Sequence, residues 1–202
     1  MVKFNSRFSN ATIKMLTVAV TCAFSAQFAL AQATTWKSDP NHSEVDFAVT
    51  HLSISKVHGR FGNVSATIQY DPDDVSKSSV QATIDVSTID TGVQARDNDI
   101  KGANYFDVAT FPSATFSSTG VTGSRGKFSV TGNLTLHGVT KPVVLEVEGP
   151  MGPLTDSKNK IHCGFSATTK ISRTAFGIAP STATAMLSDD VQLTIEIDAI
   201  KQ

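Results

Sequence analysis

Five histidines, His42, His51, His58, His137 and His162, are the side chains of this 202-residue chain best suited to metal ligation or to acid–base work near neutral pH. Zinc sites usually show ligands two to five residues apart, or two histidines one helical turn apart. No histidine pair here has that spacing, and the expectation is that there is no metal site. His42 and His51 are an odd number of residues apart, which puts them on opposite faces of an unbroken strand. A nucleophilic mechanism needs a serine or cysteine beside a base, and the chain has no Gly-x-Ser-x-Gly elbow. Gly59-Arg60-Phe61-Gly62 does not fit a phosphate loop and reads as a strand bend or bulge. Glu44 and Asp46 share one polar face and read as solvated surface. More suggestive are Arg96-Asp97-Asn98 and Arg173, polar groups set among aromatic residues. An arginine at the mouth of an apolar cavity would fix a polar head group. A surface salt bridge with a neighbouring carboxylate is the plain alternative, and both readings stay open.

These residues must be positioned by strands. Val45, Phe47 and Val49 alternate with Glu44, Asp46 and Thr50; Val80, Ala82, Ile84 and Val86 alternate with Gln81, Thr83, Asp85 and Ser87. The same period of two runs through Phe128 to Leu136 and through Val191 to Ile197, so each strand has one apolar and one polar face. Turn signals lie between them: Asp71-Pro72-Asp73-Asp74, Gly123 to Gly126, Gly138 to Pro142, and Gly149 to Lys160 with two prolines. Short turns without long crossovers predict an all-β antiparallel meander, interrupted by one short helix near 93–102 and by an irregular stretch from Phe176 to Ser188. Periodicity alone does not separate a sandwich from a closed barrel of about eight strands. An outer-membrane barrel would invert the pattern, but the single Trp and two Tyr do not supply its aromatic girdles.

The chain starts with the three zones of an export signal: Lys3, Arg7 and Lys14, an apolar run from Met15 to Leu30, and small residues at Ala29 and Ala31. Cleavage is expected after Ala31, with Ala33 as the competing position. Thr21 before Cys22 does not suit a lipid-attachment box. Loss of residues 1–31 removes three basic side chains and no acidic one, taking the formal charge from −1 to −4. That balance offers no basic footprint for nucleic acid or anionic membrane. Cys22 leaves with the signal, so Cys163 has no intrachain disulfide partner and reads as a small buried strand residue.

Several ordered strings resemble the YceI-like family. Asp39-Pro40-Asn41-His42-Ser43-Glu44-Val45-Asp46-Phe47, His51-Leu52 and Val57-His58-Gly59-Arg60-Phe61 are similar to its start. Asp90-Thr91, Arg96-Asp97, Phe106-Asp107-Val108, Phe111-Pro112 and Ala114-Thr115-Phe116 are similar to its middle. Gly132 to Val143, Phe165-Ser166-Ala167 and Ile171-Ser172-Arg173 through Phe176-Gly177-Ile178 complete the pattern. The resemblance implies a periplasmic, extended lipocalin-like barrel over residues 32–202 that encloses a polyisoprenoid or an isoprenoid quinone-like amphiphile, to carry or store it. It implies no cofactor, no enzyme chemistry and no stable membrane insertion, with a homodimer left open. By the same route Phe47, Leu52, Phe61, Phe106, Phe116, Phe165 and Phe176 are expected in the lining. His42, Ser43, Arg96, Asp97 and Arg173 are expected in polar or structural roles. The alternative is an enzyme acting on a hydrophobic substrate with His42 or His51 as acid–base.

Overall fold

The computed structural model describes residues 33–202, together with Met1 and Lys3; the expected export signal, its expected cleavage position and Cys22 lie outside the described residues. Nine strands succeed one another: β1 (Thr34–His51), β2 (Ser55–Phe61), β3 (Val64–Tyr70), β4 (Ser79–Asp85), β5 (Ser113–Ser124), β6 (Gly126–Leu136), β7 (Val139–Thr155), β8 (Ile161–Ser172) and β9 (Leu187–Lys201). The expected short helix is α1 (Gln94–Ile100). All ladders are antiparallel, and β9 returns to pair with β1 from Trp36↔Lys201 to His51↔Leu187. That seam closes the sheet and decides for a barrel over a sandwich.

β2 and β3 are two halves of one bent strand. Both pair with β1, Val45↔Phe61 to His51↔Ser55 and Thr34↔Tyr70 to Lys37↔Thr67. The bend is at Gly62-Asn63, where Asn63 has φ 51°. Counted as one, they make the closed eight-stranded antiparallel barrel expected from the sequence. The alternating apolar positions turn inward: Val45, Phe128, Val130, Leu134 and Leu136 are buried, while Gln192 and Glu196 of β9 are exposed. Apolar faces inside and polar faces outside are the reverse of an outer-membrane barrel. Among the described residues no helix is long and apolar enough to cross a membrane.

The Asp71 turn forms as expected, its carboxylate accepting the N–H groups of Asp73 and Asp74 at 2.9 and 3.0 Å. Two other turns are shorter than the sequence suggests. The β6–β7 reversal uses only His137 and Gly138, with φ 50° and 72°, and Pro142 lies inside β7 opposite Asn133. This is the two-residue hairpin whose central positions both take positive φ. From Gly149 onward β7 continues to Thr155, and only Asp156 to Lys160 turns. Proline has no N–H for a ladder, so the pairing with β8 slips between Glu148 and Met151 and again between Met151 and Leu154. Gly149 and Gly152, at φ 137° and 101°, absorb those bulges.

Candidate ligand-binding cavity

Inward alternation around a closed barrel leaves an apolar interior. Its outer part is a cavity of about 360 Å³, bordered by Val45, Phe47, Val49 and Phe61, by Ile100, Tyr105 and Phe106, and by Leu134, Leu136, Ile178, Leu187, Val191 and Leu193. A deeper chamber of about 140 Å³ is bordered by Val64, Ala66, Ile68, Tyr70, Phe116, Phe128 and Phe165 among others. Val45, Ile84, Leu134 and Leu193 border both, so the two adjoin. The outer volume falls within the range of roughly 300–1,000 Å³ usual for ligand pockets. The deeper one is close to the roughly 150 Å³ of apolar cavities that stay dry and admit small hydrocarbons.

The aromatic residues anticipated for the lining divide into three groups. Phe47, Phe61 and Phe106 border the outer cavity as a row, with centroids 5.5 Å apart at each step, the first pair tilted and the second edge-to-face. Phe47 lies across Gly59 of the neighbouring strand, where an added Cβ would fall 2.4 Å from the ring. Phe116 and Phe165 border the deep chamber, Phe165 edge-on to Tyr70 at 5.8 Å. Phe176 is 2% exposed and borders neither chamber. Its carbonyl lies 3.1 Å from His137 Nδ1, and it is closed core. Leu52 is 41% exposed at φ 52° in the turn after β1, where strand alternation has ended. Most of the remaining wall is aliphatic, from Val57 and Ile84 to Leu193, at positions the alternation marks as inward.

The polar candidates are placed differently from one another. Arg96 borders the outer cavity, with Nε and Nη2 donating to the Thr91 hydroxyl and carbonyl at 2.7 and 2.9 Å. Asp97 is buried and accepts from the Thr91 N–H and hydroxyl at 2.9 and 2.6 Å, which ties α1 to the preceding turn. Arg173 also borders the outer cavity, yet it is only 2% exposed. Its five N–H groups donate to the carbonyls of Ser188, Ile178, Ala179, Thr182 and Leu187. Its guanidinium therefore organises the 174–188 segment that covers the cavity. Ser43 is buried and bonds both backbone groups of Asp198. His42 is exposed and lies outside the cavity against Asp39. His51 borders the outer cavity, as do Asp99 and Tyr105, but the ring hydrogen bonds among the described residues belong to His42, His137 and His162. A histidine without an orienting partner is poorly set for acid–base work.

The family model of the YceI-like domain matches residues 36–199. Protein YceI of Salmonella newport (strain SL254) is 37% identical over 161 residues, which are 80% of this chain and 83% of the relative. Burkholderia cenocepacia BcnA superposes with TM-score 0.70 at 28% identity, covering 80% of this chain and 98% of that one. A polyisoprenoid binding domain from Saccharophagus degradans, implicated in plant cell wall breakdown, shares the fold with TM-score 0.62 at 16% identity, covering 84% and 99%.

Proposed function

The chain belongs to the YceI-like domain family, and on that premise we propose that it is a binding protein that takes a long apolar lipid, of the polyisoprenoid or isoprenoid-quinone class, into its barrel. The observation that carries this reading is the pair of adjoining apolar chambers, the outer one bordered by a few polar side chains, Arg96, Asp99, Tyr105, His51 and Arg173. Hydrocarbon moved from water into such a space gains about 0.8 kcal/mol per CH2-sized group. Few fixed polar groups are then needed, and they serve orientation. The Saccharophagus degradans domain, named for binding polyisoprenoid, shares the fold at an identity that supports likeness of architecture alone. Binding rather than catalysis suits a wall in which His42 takes no part and His51 has no ring hydrogen bond among the described residues. The three-zone N-terminus supports export with cleavage, and with it a carrying or storage role for this lipid in the periplasm.

Native mass spectrometry with lipid extraction tests the reading on protein purified from the periplasmic fraction of a membrane-bearing host. The expected result is a chain lacking residues 1–31 that carries an extractable isoprenoid. A well-folded protein that is repeatedly empty and has no affinity for isoprenoid chains overturns the lipid reading. An intact mass that retains residues 1–31 overturns export with cleavage.

A further inference from the structure

Outside the cavity, side chains from β1, β8 and β9 converge at one place. The β1–β9 ladder slips between Ser38 and Ser43, so Asp39-Pro40-Asn41-His42 leaves the register. Bulges of this kind re-aim side chains. Here His42 Nδ1 comes 2.9 Å from Asp39 Oδ2, and both residues face Asp198 of β9. One ligand atom from each of Asp39, His42 and Asp198 lies within 4.8 Å of the other two. The Ser43 hydroxyl fixes the spacing by donating to the Asp198 carbonyl at 3.3 Å and accepting its N–H at 3.2 Å. From the other side His162 Nδ1 meets Asp198 Oδ1 at 2.7 Å, while its Nε2 lies 3.5 Å from Asp156.

The charge at this point is unbalanced. Three carboxylates, Asp39, Asp156 and Asp198, gather there, and their ion-pair partners among the described residues are imidazoles, with no Lys or Arg. Asp39 is 15% exposed and its carboxylate accepts the Asn41 N–H at 3.0 Å, while His42 is 69% exposed and open to an incoming ion. Two carboxylates and one accessible imidazole around a common centre form a nitrogen–oxygen donor set for a divalent transition metal. A histidine bonded to a ligating carboxylate is the arrangement that orients such a ligand.

We propose that Asp39, His42 and Asp198 bind a divalent transition metal ion of the zinc class on the outer wall of the barrel, with His162 as the positioning residue that holds Asp198. Solvent completes the coordination on the open side. The site is independent of the lipid cavity, so failure of either reading leaves the other standing.

The test is calorimetric titration of chelator-treated protein with Zn²⁺ alone. Saturable binding of one ion per chain is expected, with H42A and D198N each weakening it at least about tenfold. H162Q leaves the three ligands in place and is expected to weaken binding about 10–100-fold, as loss of an orienting partner does. H58A, at an exposed position on β2, leaves it unchanged. With Co²⁺ as the ion, paramagnetic shifts of the His42 ring protons report direct ligation. His42 is exposed, so H42A keeps the test valid if D198N fails to fold. Absence of saturable binding, or equal affinity in the wild type and H42A, overturns the proposal and leaves the cluster as a hydrogen-bonded staple.

Discussion

Cys163 of β8 lies opposite Ala199 of β9, 4% exposed, and burial pushes its thiol up to about 12. A thiol whose value rises on folding favours the neutral form. Its contribution to stability is complete below the unfolded value near 9 and is lost as pH rises towards 12. Since the thiolate is the nucleophile, a shift of this size leaves roughly a thousandfold less reactive form at pH 8 than in a free cysteine. Iodoacetamide is therefore expected to modify native protein at least roughly a hundredfold more slowly than unfolded protein. Similar rates in the two states would disprove the burial account. At this scale the sequence is informative about side but not about neighbours. Alternation shows that Phe128 and Leu134 face inward, yet it does not distinguish a position beside a void from one in closed core such as Phe176. Asp39 and His42 are three residues apart, but Asp198 escapes local spacing rules because β9 returns to β1 only after most of the chain has passed.

The segment from Thr174 to Ser188 depends on one side chain more than on its own sequence. Its Ala, Thr and Ser residues supply little apolar surface, and its carbonyls converge on the buried Arg173 guanidinium. Asp189 anchors the same segment by accepting from the Thr174 N–H and hydroxyl at 3.0 and 2.6 Å. Arg173→Met removes all five donors and leaves their carbonyl partners without them, at an expected cost of about 3–5 kcal/mol. Arg173→Lys, with three donors, is expected to lose less. Urea denaturation measures both, and an Arg173→Met midpoint close to wild type would mean that the segment is held by something else. Strand existence was legible here, because Val80 to Val86 and Val191 to Ile197 alternate without interruption. Strand ends were less so: Pro150 and Pro153 resemble turn residues, but β7 bulges around them and continues. The irregular 176–188 stretch was visible as a break in period, while its dependence on Arg173 was not.

Closure of the molecule rests on the β1–β9 seam, which joins the two ends of the described chain and has no local signature. Alternation is shared by sandwiches and barrels, so the barrel came from the ordered motifs and the chambers inside it came from the structure. The two chambers meet at Val45, Ile84, Leu134 and Leu193, and if the interior takes the proposed lipid this junction is expected to make it a measure of chain length. On the proposed lipid reading, a short isoprenoid is expected to occupy the outer cavity alone and a longer one to extend past the shared border at Leu134. Leu134→Phe adds bulk at that junction. Overpacking a filled core costs about 1–3 kcal/mol, but here the larger ring has open space to enter, so the fold is expected to tolerate it. Excluding even three CH2-sized groups from the deep chamber weakens binding of the longer chain roughly fiftyfold. Binding isotherms for short and long isoprenoid alcohols, measured on both proteins, separate the possibilities. Selective loss of the long ligand is expected with the short one retained. An equal effect on both would mean that the deep chamber takes no part in binding and that the ligand lies wholly under α1 and the 174–188 cover.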